Sequence, residues 1–380
     1  MRAFHLNAEL GLTRKGDNPA HEWTGSLRPD LGDLPLPWLA ALDDAGRANM
    51  EFSAGWLQNL AENALAEEEL PGLYDVRRAD TARPAALLPV FHTRGTRRLQ
   101  GLSTFYTSLF TPVVTEEAPE AALAALFSTV RHDGWHSLRL SPLAQDAPIF
   151  GQTLAALGQA GWLAYPFYCF GNWYMPVAGR TFAEYFQGLA SQVRNTVKRR
   201  EKKFLAEGRG RLELVESGPR LEAAIESWDR IYRSSWKKPE PFPRFMPGLI
   251  RLCAERGWLR LGLAHYDGEA VAAQIWIVSH GRAAIYKLAY DERFAPLSAG
   301  TVLTAFLMRQ VIDVDHVDEI DYLIGDDAYK KDWLSHRRER WGIMAYNPAT
   351  AAGLLGAARE SAGRALKPLL ARWRARSGKS

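Results

Sequence analysis

The run Ser298-Ala299-Gly300-Thr301 is the first place where residue types and spacing suggest chemistry, because these small residues open an apolar helix through Val302, Leu303, Phe306 and Leu307. The first turn of a helix presents backbone N–H groups without internal partners, and its dipole favours an anion there. Small side chains let a phosphate approach that backbone closely. Taken alone, the run reads more simply as Ser298 capping a buried helix. The next segment changes that balance. Glu319-Ile320-Asp321-Tyr322-Leu323-Ile324 reads as a strand and leads into Gly325-Asp326-Asp327-Ala328-Tyr329-Lys330-Lys331-Asp332-Trp333. If a helix over about 299–312 crosses between two strands of one sheet, this strand ends beside the helix start. Lys330 then meets a second phosphate or an acyl carbonyl, whereas an isolated Lys-Lys pair would be a solvated turn.

Other constellations carry less. Arg194, Lys198, Arg199, Arg200, Lys202 and Lys203 make a basic run broken only by Glu201, either a solvated helix face or the wall of an acidic acceptor's pocket. Nine histidines are scattered without H-E-x-x-H or Cys-rich spacing, so no metal is expected. His132 and His136 flank Asp133-Gly134 at a helix end and read as a turn. No G-x-S-x-G elbow or P-loop occurs. Cys169, among Tyr165, Phe167, Tyr168 and Phe170, reads as part of an aromatic strand. Most of the 13 tryptophans read as core, with Trp236 a candidate for lining an acceptor cleft.

The elements that must position these residues follow from a soluble globular composition, 47% hydrophobic and 24% charged over 380 residues. Disorder throughout is excluded, and no stretch reads as a membrane span or secretory signal. Two cysteines, Cys169 and Cys253, hold no disulfide framework, and a reducing cytoplasmic compartment is expected. A net charge of +4 is too mild to imply nucleic acid by itself. Residues 1–50, rich in Pro, Gly and Asp, are expected to be an irregular arm. Helix, antiparallel strands, helix and strand then follow one another twice. The strongest local signals are the capping box Thr181-x-x-Glu184, the break at Gly188, and the turns Asp267-Gly268 and His280-Gly281. The expected fold class is α/β, with mixed, mainly antiparallel sheets in two like halves over 51–178 and 179–348. A basic amphipathic helix over 349–380 is expected to pack on the domain, with an anionic membrane or RNA as the alternative contact.

Three segments resemble the GNAT acyltransferase superfamily, and within it the CelD/BcsL-like acetyltransferases related to FemAB-type transferases. They are F-x-x-Y-F-x-x-L-x-S-x-V-R-N-T-V-K-R-R from Phe182 to Arg200, Y-K-L-A-Y-D-x-x-F-A-P-L-S-A-G-T-V-L from Tyr286 to Leu303, and D-Y-L-I-G-D-D-A-Y-K-K-D-W from Asp321 to Trp333. The resemblance covers about 180–346, and before that only the order of elements agrees. It implies tandem GNAT-like halves and an acyl-CoA donor, acetyl-CoA first, with no metal. Ser298, Ala299, Gly300 and Thr301 then correspond to the pyrophosphate site, although the superfamily's Q/R-x-x-G-x-G/A loop is replaced by Ser-Ala-Gly-Thr. Lys330 matches the family's Y-K after the fifth strand, and Arg194, Lys198 and Arg199 match its R-x-x-x-[KR]-[KR] helix.

Thioester chemistry assigns the remaining roles as expectations. An amine attacks the carbonyl, so orientation supplies most of the acceleration and a base must take a proton. Asp321 and Asp326 are the candidate bases, and Tyr329 the acid that protonates the leaving thiolate. The expected function is N-acyl transfer from acyl-CoA to an amine of a small molecule, sugar or peptide. Its rivals are FemAB-like transfer from aminoacyl-tRNA, held by the basic segments, and a non-catalytic GNAT-like binding module. Localisation is expected to be cytoplasmic, with the inner membrane face as the site of any peripheral contact.

Overall fold

The computed structural model describes residues 23–116 and 119–377. The chain divides into two compact units. Among the described residues, unit 1 comprises 23–42, 66–116, 119–169 and 341–377, and unit 2 comprises 43–65 and 170–340. Among the described residues no helix is long and apolar enough to cross a membrane.

The described residues open with β1 (Trp23–Arg28) and α1 (Leu36–Ala45), which corrects the irregular arm expected over 1–50 for residues 23–50; residues 1–22 lie outside the described residues. The prolines that suggested irregularity sit where a helix tolerates them. Pro35 precedes α1 and Pro37 lies in its first turn, where a missing N–H removes no ladder bond. Next comes α2 (Ala54–Asn63), which belongs to unit 2. Ser53 caps it, and Trp56 packs edge-on to Phe245.

Unit 1 continues with β2 (Glu69–Arg78), β3 (Ala86–Thr93), β4 (Arg98–Gly101), β5 (Val113–Val114), α3 (Pro119–His132), β6 (Ser137–Ala144) and α4 (Pro148–Gln159). β1 to β4 pair antiparallel in order, and β6 returns parallel to β4 after the α3 crossover. Its core joins Tyr74, Val76 and Leu88 of the strands to Leu123, Leu126 and Phe127 of α3. The chain passes into unit 2 within β7 (Leu163–Pro176).

Unit 2 adds α5 (Phe182–Gly188), α6 (Ser191–Phe204), β8 (Gly210–Val215), α7 (Leu221–Arg233), α8 (Phe245–Glu255), β9 (Leu259–Tyr266), β10 (Glu269–Ser279), β11 (Arg282–Tyr290), α9 (Ala299–Arg309) and β12 (Glu319–Asp321). Thr181 and Glu184 make the expected capping box on α5, which ends at Gly188. β8 to β11 pair antiparallel in order, and β12 is parallel to β11 after the α9 crossover. The core on the α9 face includes Trp276, Leu303, Leu307, Val197 and Phe204. β13 (His336–Tyr346) leads back to unit 1, and α10 (Ala351–Ser377) closes the chain. The mixed, mainly antiparallel α/β fold is thus as expected.

Two element ends differ from expectation. β12 stops at Asp321 instead of reaching Ile324, because the Asp321 carboxylate accepts the Leu323 amide (2.7 Å) and Leu323 turns left-handed (φ 51°). The helix expected over 299–312 is α-helical to Arg309 and then widens into a π turn over Gln310–Val314.

Candidate active site

The local architecture around residue 300 is set by the exit from β11. Asp291 accepts the Arg293 amide (3.0 Å) and starts a 3-10 turn over Glu292–Leu297, whose end brings Ser298 into the left-handed region (φ 54°). Ser298 makes no side-chain cap, so the expected serine cap is absent and its backbone does the work. Its carbonyl accepts the amides of Thr301 (3.0 Å) and Val302 (3.2 Å). The amides of Ala299 and Gly300 precede these bonds, the position at which helix N–H groups lack internal acceptors. Gln274 of β10, 1% exposed, donates to the Gly300 carbonyl (2.9 Å) and to Thr304 Oγ1 (2.8 Å). Trp276 Nε1 in turn donates to Gln274 Oε1 (2.9 Å), so the first turn of α9 is tied to the sheet through a satisfied buried amide.

That helix start opens on a cavity of about 490 Å³. Gly300, Thr301 and Thr304 form one wall, and Gln192, Val193 and Thr196 of α6 another. Leu288 and Tyr290 come from β11; Tyr322, Tyr329, Asp332 and Trp333 come from the segment after β12; Trp236 comes from the turn after α7. Trp236, 48% exposed, lies against Tyr290 with ring centroids 4.5 Å apart. Trp236, Tyr290, Tyr322, Tyr329 and Trp333 give the lining an aromatic part, and Asp332 is its carboxylate.

The β11–β12 pairing covers only Arg282–Ala284 against Glu319–Asp321, while β11 runs on to Tyr290. Within that extension the register against β10 shifts between Ile275 and Trp276, leaving Tyr286 as the extra residue of a bulge. The bulge shifts the phase of the alternation, so that Ile285, Leu288 and Tyr290 face α9 while Lys287 faces α7.

Of the residues expected in the site, Gly300, Thr301, Trp236 and Tyr329 come together in the cavity lining. Ser298 and Ala299 shape the helix start, Ala299 being buried. Tyr329 keeps its proton at neutral pH, since burial and the Asp327 carboxylate push its phenol up to about 12.

Asp321, Lys330 and Asp326 lie outside the lining, and each is already engaged. The Asp321 side chain, 2% exposed, accepts Asn172 Nδ2 (2.5 Å) and pairs with Arg338 (2.5 Å). Burial raises its pKa, but Arg338, the Asn172 hydrogen bond, Arg282 and Arg340 outweigh that and hold it below the ordinary aspartate value. A carboxylate so held is a poor base, which corrects the first role expected for it. Lys330, 4% exposed, spends its ammonium protons on the carbonyls of Tyr322 (3.1 Å), Ile324 (2.5 Å) and Gly325 (3.2 Å), with Asp327 at 3.5 Å. It clasps the loop instead of reaching for a phosphate. Gly325 suits that clasp because its φ of 102° is a conformation L side chains rarely adopt. Asp326 accepts Trp173 Nε1 (2.6 Å) and pairs with Arg337 (2.8 Å), which holds its carboxyl below the usual range.

On α6 the expected trio separates. Arg194 donates to the carbonyls of Gln187 (2.8 Å) and Leu189, closing the end of α5. Lys198 and Arg199 are exposed, as are Lys202 and Lys203, on the side of α6 away from buried Val197 and Phe204.

The comparisons with known proteins agree with this geometry. The family described as Acetyltransferase (GNAT) domain matches residues 191–331. The matched residues lie within unit 2. No curated protein matches the chain. Solved structures of similar fold include FemX, at 10% identity over 78% of this chain and 92% of that one, TM-score 0.56. L-PGS from Bacillus licheniformis is similar at 11% identity over 87% and 96%, TM-score 0.53. The C-terminal domain of a putative lysylphosphatidylglycerol synthetase from Agrobacterium fabrum is similar at 12% identity over 84% and 95%, TM-score 0.52. These identities establish likeness of fold.

Several lining residues of the GNAT domain escaped the sequence reading. Gln274 had a signal, as the one polar side chain in the apolar run Ala270–Val278. Tyr290, Tyr322 and Trp333 had none, because aromatic residues at strand ends are more often core. Among the described residues no cluster of His, Cys, Asp and Glu is arranged to hold a metal ion.

Proposed function

We propose that unit 2 transfers an acyl group, acetyl in the first instance, from acyl-CoA to an amine of a small molecule, sugar or peptide. The observation that carries this reading is the start of α9, where Gly300 and Thr301 open on the aromatic cavity beside the length of β11 that β12 leaves after Ala284. A diphosphate at the amides of Ala299 and Gly300 gains from unpaired donors and from the helix dipole. The three quoted motifs favour the CelD/BcsL-like branch of the superfamily.

The chemistry is direct. The amine nitrogen attacks the thioester carbonyl, the carbon–sulfur bond breaks, and the departing thiolate takes a proton. Tyr329 lines the cavity and keeps its phenol proton at neutral pH, which suits it to give that proton. The acceptor must first lose one, and Asp332 takes the role that Asp321 and Asp326 are too well partnered to fill. Holding the two substrates in register with each other supplies the larger part of the acceleration.

One observation favours a second donor, aminoacyl-tRNA. The exposed Lys198, Arg199, Lys202 and Lys203 lie on α6, whose residues Gln192, Val193 and Thr196 line the cavity. Thermal shift of the full chain with acetyl-CoA, a long-chain acyl-CoA and uncharged tRNA separates the readings. The expected result is a melting temperature that rises with acetyl-CoA concentration. A rise with tRNA alone, lost steeply with salt, replaces the CoA reading with the tRNA one. No rise with any of the three removes both.

A further inference from the structure

Trp236 leads directly into Lys237, whose ammonium lies 5.7 Å from the Trp236 ring centroid and 5.8 Å from that of Tyr232. Lys287 approaches the same Tyr232 ring at 5.5 Å. The two lysines differ in their partners. Lys287 is paired with Glu240 (2.7 Å), and Lys330 is held by three carbonyls and Asp327. Lys237 has neither a carboxylate within ion-pairing distance nor a side-chain hydrogen bond among the described residues. The charged groups acting on it are Lys287, Glu240, Asp327 and Lys330, and both carboxylates are already paired, Glu240 with Lys287 and Asp327 with Lys330. Burial first and Lys287 second push the Lys237 pKa down to about 8. An anion seated against it would relieve both effects.

The place of this charge in the fold matters as much as its neighbours. Lys287 and Tyr232 lie on the α7 face of the sheet, whereas the start of α9 lies on the other. Trp236 lines the cavity against Tyr290 and is the residue that separates it from the Lys237 ammonium, which lies outside the lining. A donor with its phosphates at α9 leaves the Lys237 side for the second substrate.

We propose that Lys237 is the centre of an anion subsite for the acyl acceptor, and that the amine acylated by unit 2 carries a carboxylate or phosphate which pairs with this ammonium beside the Tyr232 and Trp236 rings. The proposal rests on the acyltransferase reading above for the word acceptor, but the subsite is testable without turnover. The full chain is labelled with trace acetic anhydride at pH 8, with and without succinate or inorganic phosphate, and Lys237 is followed by peptide mass mapping. The expected result is about a fivefold loss of Lys237 labelling with either anion, as a rise of one pKa unit would give. Lys198 serves as the unprotected reference, and the protection persists when CoA saturates the chain. Equal labelling with and without the anions overturns the subsite. Protection abolished by CoA assigns the anion to the donor and overturns the acceptor assignment. With acetyl-CoA as donor, Lys237→Met raises KM for β-alanine but not for ethylamine and leaves kcat unchanged, whereas Lys237→Arg retains the preference. Equal KM changes for both amines overturn the proposal. Protection without any acetyl transfer sinks the donor reading and leaves the anion subsite standing.

Discussion

Both halves of the chain string together a strand, two helices, three antiparallel strands, a crossover helix and a fourth strand parallel to the third. In unit 1 the parallel pair is β4 with β6 over Arg98–Gln100 and Ser137–Arg139, and in unit 2 it is β11 with β12 over Arg282–Ala284 and Glu319–Asp321. The crossover helices begin differently. α3 starts Pro119-Glu120 with a carboxylate in its first turn, while α9 starts Ala299-Gly300-Thr301 with none. A carboxylate there already satisfies the helix dipole and repels a phosphate. After the fourth strand unit 1 builds a full helix, α4, whereas unit 2 has only a 3-10 turn over Ala328–Asp332. That shorter connection places Tyr329, Asp332 and Trp333 in the cavity lining. One topology thus carries two different helix starts and two different connections after its fourth strand.

The third residue of each parallel pairing gives the largest test of this contrast. It is Asp321 in unit 2, buried against Arg338, and Arg139 in unit 1, over the Phe167 ring at 4.3 Å. Asp321→Asn is expected to cost about 3 kcal/mol of stability, since Arg338 keeps only Glu319 as a carboxylate partner. Urea unfolding at neutral pH measures it. Because the folded-state pKa of Asp321 is depressed, its stabilisation is full above the unfolded aspartate value and is lost as pH falls through the folded one. The pH dependence of unfolding in the acid range should therefore flatten in the variant.

Next in size is the helix start. Gly300→Glu places a carboxylate at the head of α9, and the nearest atom to an added Cβ, Tyr290 Cδ1 at 3.6 Å, leaves room for it. Acetyl-CoA affinity by calorimetry should fall about a hundredfold, roughly 2.7 kcal/mol. Glu120→Gly in unit 1 should leave it unchanged. Equal binding by both variants would dissolve the distinction between the two helix starts.

A smaller effect is expected at Tyr329→Phe, which should lower kcat about tenfold with KM for acetyl-CoA preserved, read from initial rates. Unchanged kcat would remove the phenol from the reaction. Arg139→Ala should be the least of these, costing about 0.5–1 kcal/mol in thermal unfolding and nothing in turnover.

The local grammar is written in short-range spacing. Thr181 with Glu184 caps α5, Gly188 separates it from α6, and Asp267-Gly268 and His280-Gly281 turn the β9–β10 and β10–β11 hairpins. These are interactions between near neighbours, so spacing alone encodes them. The start of α9 was legible for the same reason, and the quoted motifs located the GNAT domain. Spacing misled where a residue's role depends on distant partners. Asp321 and Lys330 stand at the right place in the chain to act, yet Asn172, Arg338 and the loop carbonyls consume them. Conversely, Lys237 looks like half of an ordinary Lys-Lys pair, and only the meeting of α7, β11 and the loop after β12 denies it a counter-ion. Whether a charge is satisfied depends on groups tens or hundreds of residues away, so the partners of Asp321, Lys330 and Lys237 become visible only when the chain is folded.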